Sequence, residues 1–284
     1  MTEFLALGAD EELRLEQAAQ RFETPCGEGS VVWHAWGAGP PLVLLHGAHG
    51  SWAHWVRNIP HLAARYTVWA PDLPGFGDSA LPTDPSSGRG SAEPLAAGLR
   101  ELVGEHLPLT IVGFSYGGVI ASWIAAIEPA LVRRLILVDV GGLGTPLEPL
   151  RFAYHKGLED DAAVAAAHLH NLGVLMIADP QRIDDLARHL QLKNVPKGRI
   201  NPRPISMPTG TIDALRLTNV PVDAIWGDRD APHPNPQVQR TALLQLRPDL
   251  DFRVVEGAGH WSMYEQPERF HRALDDLLAL ARQE

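Results

Sequence analysis

The chain has 284 residues with 24 Lys and Arg against 34 Asp and Glu, a formal charge of −10, so it lacks the cation excess with which nucleic-acid binders face phosphates. Hydrophobic residues at 45% and charged residues at 20% exclude an intrinsically disordered chain, and the length allows one large or two small domains. The single cysteine, Cys26, excludes an intrachain disulfide framework and any CxxC metal or redox site.

In chain order, the apolar run Phe4 to Ala9 is too short for a signal-peptide core and leads into acids instead of a small-residue cleavage site, so a cytoplasmic protein is expected. Asp10 is the expected N-cap of an amphipathic helix over Glu11–Phe22. Short apolar runs then read as strands: Val31–Trp36, Leu42–Leu45, Tyr66–Ala70, Leu109–Val112, Leu135–Val140, Val222–Trp226 and Phe252–Val255. The middle five are nearly continuous in apolar residues, as parallel strands buried on both faces must be. Between them, Leu95–Glu105 and Val119–Ile127 fit crossover helices, and a Pro/Ser/Gly loop occupies Pro82–Gly90. Strands alternating with helices imply an α/β fold with a mainly parallel sheet. Leu107 to Ile127 carries no charge over 21 residues, enough to span a bilayer. Pro108, Gly113, Gly117 and Gly118 break it, however, into a β-branched half and a helical half, so a buried strand and helix are expected and no membrane partner.

The alternation stops between Gly141 and Thr218, a helical and then Pro-rich stretch that reads as an insertion, because strand-like sequence resumes at Val220. It holds 9 Lys/Arg and 8 Asp/Glu, so the remainder carries the negative charge. Arg188, Lys193, Lys197, Arg199 and Arg203 follow one another with no acid between Asp185 and Asp213. Two readings are open for that run: a solvated lid surface, or an electrostatic guide for an anionic substrate.

Gly113-Phe114-Ser115-Tyr116-Gly117 fits G-x-S-x-G between an apolar strand and a helix. A sharp turn there strains the serine and lifts its hydroxyl above the sheet edge, and the helix start aims backbone N–H groups at any oxyanion beside it. A serine nucleophile needs a base oriented by an acid. Among the 13 histidines, His260 in Gly257-Ala258-Gly259-His260-Trp261 follows a strand and precedes a helix starting near Pro267, where open α/β sheets gather their chemistry. Three aspartates are open as the acid: Asp228 and Asp230 in Trp226-Gly227-Asp228-Arg229-Asp230, and Asp139 at the end of Leu135–Val140.

From about residue 28 to its end the sequence resembles the α/β-hydrolase superfamily. The matching pieces are Leu44-Leu45-His46-Gly47, Asp72-Leu73-Pro74-Gly75-Phe76-Gly77-Asp78-Ser79, the serine turn, Gly227-Asp228-Arg229-Asp230 and Gly259-His260. The resemblance implies an α/β-hydrolase fold, a mostly parallel central sheet flanked by helices, with core residues 1–140 and 219–284 and a helical cap inserted over 141–218. It selects Asp230, the fourth residue of Gly-x-x-Asp, to stand with Ser115 and His260, and it places the oxyanion hole at the amides of Ala48 and Tyr116. Trp52-Ala53-His54-Trp55-Val56-Arg57-Asn58-Ile59 and His260-Trp261 are similar to segments of the meta-cleavage-product hydrolases, which cut C–C bonds in dienoate acids. By that resemblance His54 and Arg188 are candidate substrate contacts, and Phe114 and Trp261, with Trp52, Trp55 and Met176, are candidates to line an apolar pocket or to be ordinary core. Phe114 and His54 nevertheless stand where those enzymes usually carry asparagine.

The expectation is a serine hydrolase that cleaves a small organic ester through an acyl-enzyme. C–C cleavage of a dienoate is the alternative, and a non-catalytic small-molecule receptor the rival of another class. No HExxH, P-loop or dinucleotide fingerprint is present, so no metal and no cofactor are expected. The partner is a small-molecule substrate, and monomer and homodimer are both open.

Overall fold

The computed structural model describes residues 8–154 and 157–280; of the N-terminal apolar run, residues 4–7 lie outside the described residues. In chain order the elements are α1 (Ala9–Ala18), β1 (Gln20–Cys26), β2 (Gly29–Trp36), β3 (Pro41–Leu45), α2 (Ile59–Ala63), β4 (Thr67–Pro71), α3 (Gly88–Val103), β5 (Leu109–Phe114), α4 (Tyr116–Ile127) and β6 (Val132–Val138). They continue with α5 (Asp161–Asn171), α6 (Asp185–Asn194), α7 (Arg203–Ser206), α8 (Gly210–Leu215), β7 (Val222–Gly227), α9 (Pro236–Leu244), β8 (Phe252–Val255), α10 (Ser262–Glu265) and α11 (Pro267–Leu280).

The strands form an eight-stranded sheet in the order β1-β2-β4-β3-β5-β6-β7-β8. From β4 to β8 every pairing is parallel, while β2 runs antiparallel to both β1 and β4. The two-residue alternation of a strand sends Val43, Leu45, Ile111, Leu135 and Leu137 to one face, where α3 and α4 bring Leu95, Leu99, Ile120 and Ile124. Leu42, Leu44, Val112, Ile136 and Val138 go to the other face, against Ile59, Leu62, Phe270, Leu274 and Leu277 of α2 and α11. Burial on both faces explains the continuous apolar runs, each such side chain contributing about 1.5–3 kcal/mol. The uncharged stretch 107–127 is β5 and α4, and among the described residues no helix is long and apolar enough to cross a membrane.

Two expectations are corrected. The first helix ends at Ala18, and its N-cap is Gly8 at φ 84°, so Asp10 lies in the first turn and does not cap. Gln20–Cys26 is a strand, paired with β2 through a turn at Gly27 (φ 54°), with Thr24 and Cys26 inward and Glu23 and Pro25 outward. Cross-strand pairing with a strongly apolar neighbour overrides the helical periodicity there. Helix α3 also begins at Gly88, well before Leu95, with Ser87 accepting the Gly90 N–H at 2.9 Å. Glycine is required at its first residue because a Cβ on Gly88 would come within 2.3 Å of the Trp123 ring.

Helix α1 clasps α6 to the core. The Trp36 indole N–H donates to Leu15 O at 2.7 Å, and Glu12, 2% exposed, accepts from His189 at 2.8 Å and Lys193 at 2.9 Å. Burial pushes the Glu12 carboxyl up, but the hydrogen bond from His189 and the Lys193 charge outweigh it and hold it below the ordinary glutamate range.

Candidate active site

The carboxyl ends of β3, β5, β7 and β8 meet under a cavity of about 940 Å³ whose lining includes Ala48, His54, Phe114, Ser115 and His260 from the sheet side. Met176, His168 and Ile200, from the segment between β6 and β7, line its opposite wall. A second cavity, about 540 Å³, lies around Pro41, Thr110 and Arg133 at the amino ends of the strands. Open α/β sheets assemble their chemistry at the carboxyl ends, where loops converge, so the larger cavity is the candidate site.

Ser115 forms the turn between β5 and α4 at φ 49° and ψ −118°, a strained conformation for a residue with a Cβ. The flanking glycines are there for space. A Cβ on Gly113 would lie 2.6 Å from Gly118 Cα, and one on Gly117 would lie 2.5 Å from the Leu45 and His46 carbonyls. The Ser115 N–H is anchored to Val138 O at 2.8 Å. Tyr116 is the first residue of α4, so its amide belongs to the first turn, which has no acceptor inside the helix and sits at the positive end of the dipole.

His260, 5% exposed, stands in the loop after β8. Its Nδ1–H donates to Asp230 Oδ1 at 2.7 Å, and its Nε2 accepts from the Ser115 hydroxyl at 3.0 Å. Asp230 is fully buried; burial pushes its carboxyl up, but the His260 imidazole and hydrogen bonds from His233 and His260 bring it below the ordinary aspartate range. The two other aspartates are engaged elsewhere. Asp228 accepts the Gly257 and Ala258 N–H groups at 2.7 and 3.2 Å and so shapes the His260 loop. Asp139, at φ 43°, accepts the Gly227 N–H at 2.7 Å and the Ser262 hydroxyl at 2.6 Å. Burial and then the nearby Asp230 charge push its carboxyl well above the ordinary range, so of the two Asp230 is the one that holds the negative charge.

Two imidazoles brace the loop before Ala48. His46 donates from Nδ1 to Gly47 O at 2.7 Å and accepts the Leu73 N–H on Nε2 at 2.8 Å, while burial pushes its pKa down to about 4, so it stays neutral. His54 accepts the Gly47 N–H on Nδ1 at 3.2 Å, and burial holds it well below the ordinary histidine range. Its ring therefore carries its proton on Nε2 and lies 5.6 Å from Phe114, centroid to centroid.

The structure does not bring the other expected contacts to the cavity. Trp261 is 1% exposed and sits behind His54, donating its indole N–H to His54 O at 2.9 Å. Arg188 is absent from the cavity wall and pairs with Asp185 one turn earlier on α6, at 3.2 Å. Three more of the basic run have partners: Lys193 meets Glu12, Lys197 meets Asp78 at 2.7 Å, and the Arg199 guanidinium donates to Ser79 O. Arg199 alone of the five reaches the cavity lining.

Sequence reasoning missed Glu265 and His233. Glu265, unexposed, accepts the N–H groups of Ala178, Asp179 and Gly259 at 3.0, 2.7 and 2.7 Å, tying the segment after α5 to the residue before His260. His233 meets Asp230, and its only signal is a histidine three residues after a Gly-x-x-Asp aspartate.

Residues 42–273 match the family model described as the alpha/beta hydrolase family. The chain is 29% identical over 289 residues to the dihydrolipoyllysine-residue acetyltransferase component of the acetoin cleaving system of Pseudomonas putida, covering 96% of this chain and 72% of that one. It is 28% identical over 272 residues to the 2-hydroxy-6-oxo-6-phenylhexa-2,4-dienoate hydrolase of Burkholderia cepacia, covering 86% of this chain and 89% of the other. Its fold is similar to the crystal structure of a putative aryl esterase from Burkholderia cenocepacia, with a TM-score of 0.78 at 23% identity over 93% of this chain and 100% of that one. With sheet, serine turn and sequence match in agreement, the chain belongs to the alpha/beta hydrolase family.

Proposed function

We propose that the protein is a serine hydrolase that cleaves small organic esters with Ser115, His260 and Asp230. The observation that carries this reading is the hydrogen-bonded line from the Ser115 hydroxyl through His260 to Asp230, with the hydroxyl on the wall of the 940 Å³ cavity. Ser115 Oγ attacks the ester carbonyl carbon while its proton passes to His260 Nε2. The Ala48 and Tyr116 amides hold the resulting oxyanion, and Asp230 keeps the His260 proton on Nδ1 and stabilises the imidazolium. Collapse breaks the C–O bond, the alkoxide takes the proton from His260, and water repeats the sequence on the acyl-serine with His260 as base. Residues 141–218 act as the cap that excludes bulk water over the acyl group. Met176 and Ile200 from it give the cavity an apolar wall.

A second reading, hydrolysis of a C–C bond in a dienoate, draws on the similarity to the Burkholderia cepacia hydrolase. Phe114 at the cavity, where an amide side chain is usual in those enzymes, and the pairing of Arg188 with Asp185 outside the cavity lining rank that reading second.

A fluorophosphonate should label Ser115, and 4-nitrophenyl butyrate should turn over; Ser115→Ala should abolish labelling and lower kcat by about 10⁴-fold or more. Labelling that survives the substitution refutes the assignment. A dienoate ring-cleavage product preferred over the neutral aryl ester in kcat/KM reverses the ranking of the two reactions. A native protein that binds such compounds but is neither labelled nor turns over the ester or the dienoate supports the receptor reading instead.

A further inference from the structure

Asp230 faces two imidazoles. His260 takes Oδ1, and the other oxygen, Oδ2, lies 2.9 Å from His233 Nδ1 and accepts the Trp226 indole N–H at 3.0 Å. We propose that His233 is a positioning residue for the reaction, holding Asp230 through the oxygen that His260 does not use; this rests on the serine-hydrolase reading above.

The local chain builds the contact. The His233 N–H closes a turn onto Asp230 O at 3.1 Å, which folds the imidazole back over the carboxylate three residues earlier. The His233 ring is 3% exposed and meets the Trp226 ring edge-on, with centroids 5.7 Å apart. A carboxylate oxygen only accepts, so Nδ1 of His233 carries a hydrogen, and that fixes its tautomer at this atom. With donors on both oxygens Asp230 cannot rotate about its Cβ–Cγ bond without breaking hydrogen bonds in a site closed to water.

The charged and titratable groups around this contact are Asp230 itself, His260 from the loop after β8 and Asp139 from the end of β6. Asp139 is engaged by Gly227 and Ser262. Catalysis needs the His260–Asp230 pair without its extra proton, and in that form the pair carries one uncompensated buried negative charge. A donor on Oδ2 stabilises that form more than the protonated pair, whose charges cancel. Losing the His233 donor, which leaves the Trp226 indole N–H alone on Oδ2, therefore makes the pair take up its proton at a higher pH, and the acid limb of the reaction moves up.

The test follows the rate of Ser115 labelling by a fluorophosphonate between about pH 5 and pH 9, which requires no knowledge of the natural substrate, with a melting curve for each protein. His233→Phe keeps the ring and its edge contact but loses the donor. Labelling should slow on the order of tenfold and the acid limb should rise by about one pH unit. His233→Asn, whose side-chain amide can stand where Nδ1 stands, should recover most of both effects. If His233→Phe does not fold, His233→Leu takes its place in the same comparison. A labelled wild type with a donor-less variant unchanged in rate and pH limb overturns the inference, as does an equal loss in the Phe and Asn variants. A wild type that is not labelled at Ser115 overturns the hydrolase reading along with it.

Discussion

Glu265→Gln keeps the shape of the side chain and removes one acceptor oxygen, so its effect can be worked from the hydrogen bonds. One carboxylate oxygen serves two donors, Ala178 N–H and Gly259 N–H, and the other serves Asp179 N–H. The amide oxygen of glutamine takes the side with two donors, which leaves its NH₂ facing the Asp179 N–H. One hydrogen bond to a charged acceptor is lost, at about 1.5–3 kcal/mol, and the other two fall to neutral strength at about 1 kcal/mol each. The variant should lose about 3–5 kcal/mol of stability, and Tm should fall by roughly 5–15 °C. Circular dichroism melting measures the total, and amide hydrogen exchange locates it: Asp179 should lose the most protection, because Ala178 and Gly259 keep an acceptor. Labelling of Ser115 should slow as well, since Gly259 precedes His260. A Tm within about 2 °C of wild type, the range of an inconsequential surface change, refutes the reasoning.

Two further outcomes are expected. Asp230→Asn should lower kcat by about 10⁴-fold by leaving His260 in the wrong tautomer, whereas Asp228→Asn, which touches only the loop amides, should cost less than about tenfold. Asp72, which accepts the Trp52 and Asp78 N–H groups, is lifted by burial to about 6 from an ordinary 3.8. Between those values the folded chain holds a proton that the unfolded chain has lost. Stability should therefore fall by about 3 kcal/mol as the pH rises from about 4 to 6. Urea unfolding at about pH 4.5 and 6.5 should show this component in wild type and not in Asp72→Asn; an equal pH dependence in both refutes it.

The central strands were legible because burial on both faces leaves an unbroken apolar record: the core of each, such as Leu42–Leu45 and Val222–Trp226, falls within an observed strand. Strand β1 was not, since Gln20–Cys26 exposes alternate residues to water and only its partner β2 identifies it. Gly88 to Gly90 falls within the loop read over Pro82–Gly90, yet it belongs to helix α3, where Gly88 lets the Trp123 ring approach. Ser115 and His260 were legible from strand and helix context, but the choice of Asp230 over Asp228 and Asp139 came from family resemblance. Physically it depends on which carboxylate the loop amides engage. Where Arg188 and Trp261 sit was not legible for a related reason. Position along a helix or loop says little about which face a tertiary contact turns to the cavity, and Arg188 spends its charge on Asp185.

The clasp between α1 and α6 joins Glu12 to His189, residues 177 apart in the chain. During synthesis at roughly 5–20 residues per second, Glu12 emerges about 10–35 s before its partner has been made. Helix α1 cannot close this contact until α6 has been made, and its ten residues are too few to hold a helix alone in water. The first of the described helices thus depends on a partner made much later, and the loop closed by this contact belongs to the slow, long-range part of the folding reaction.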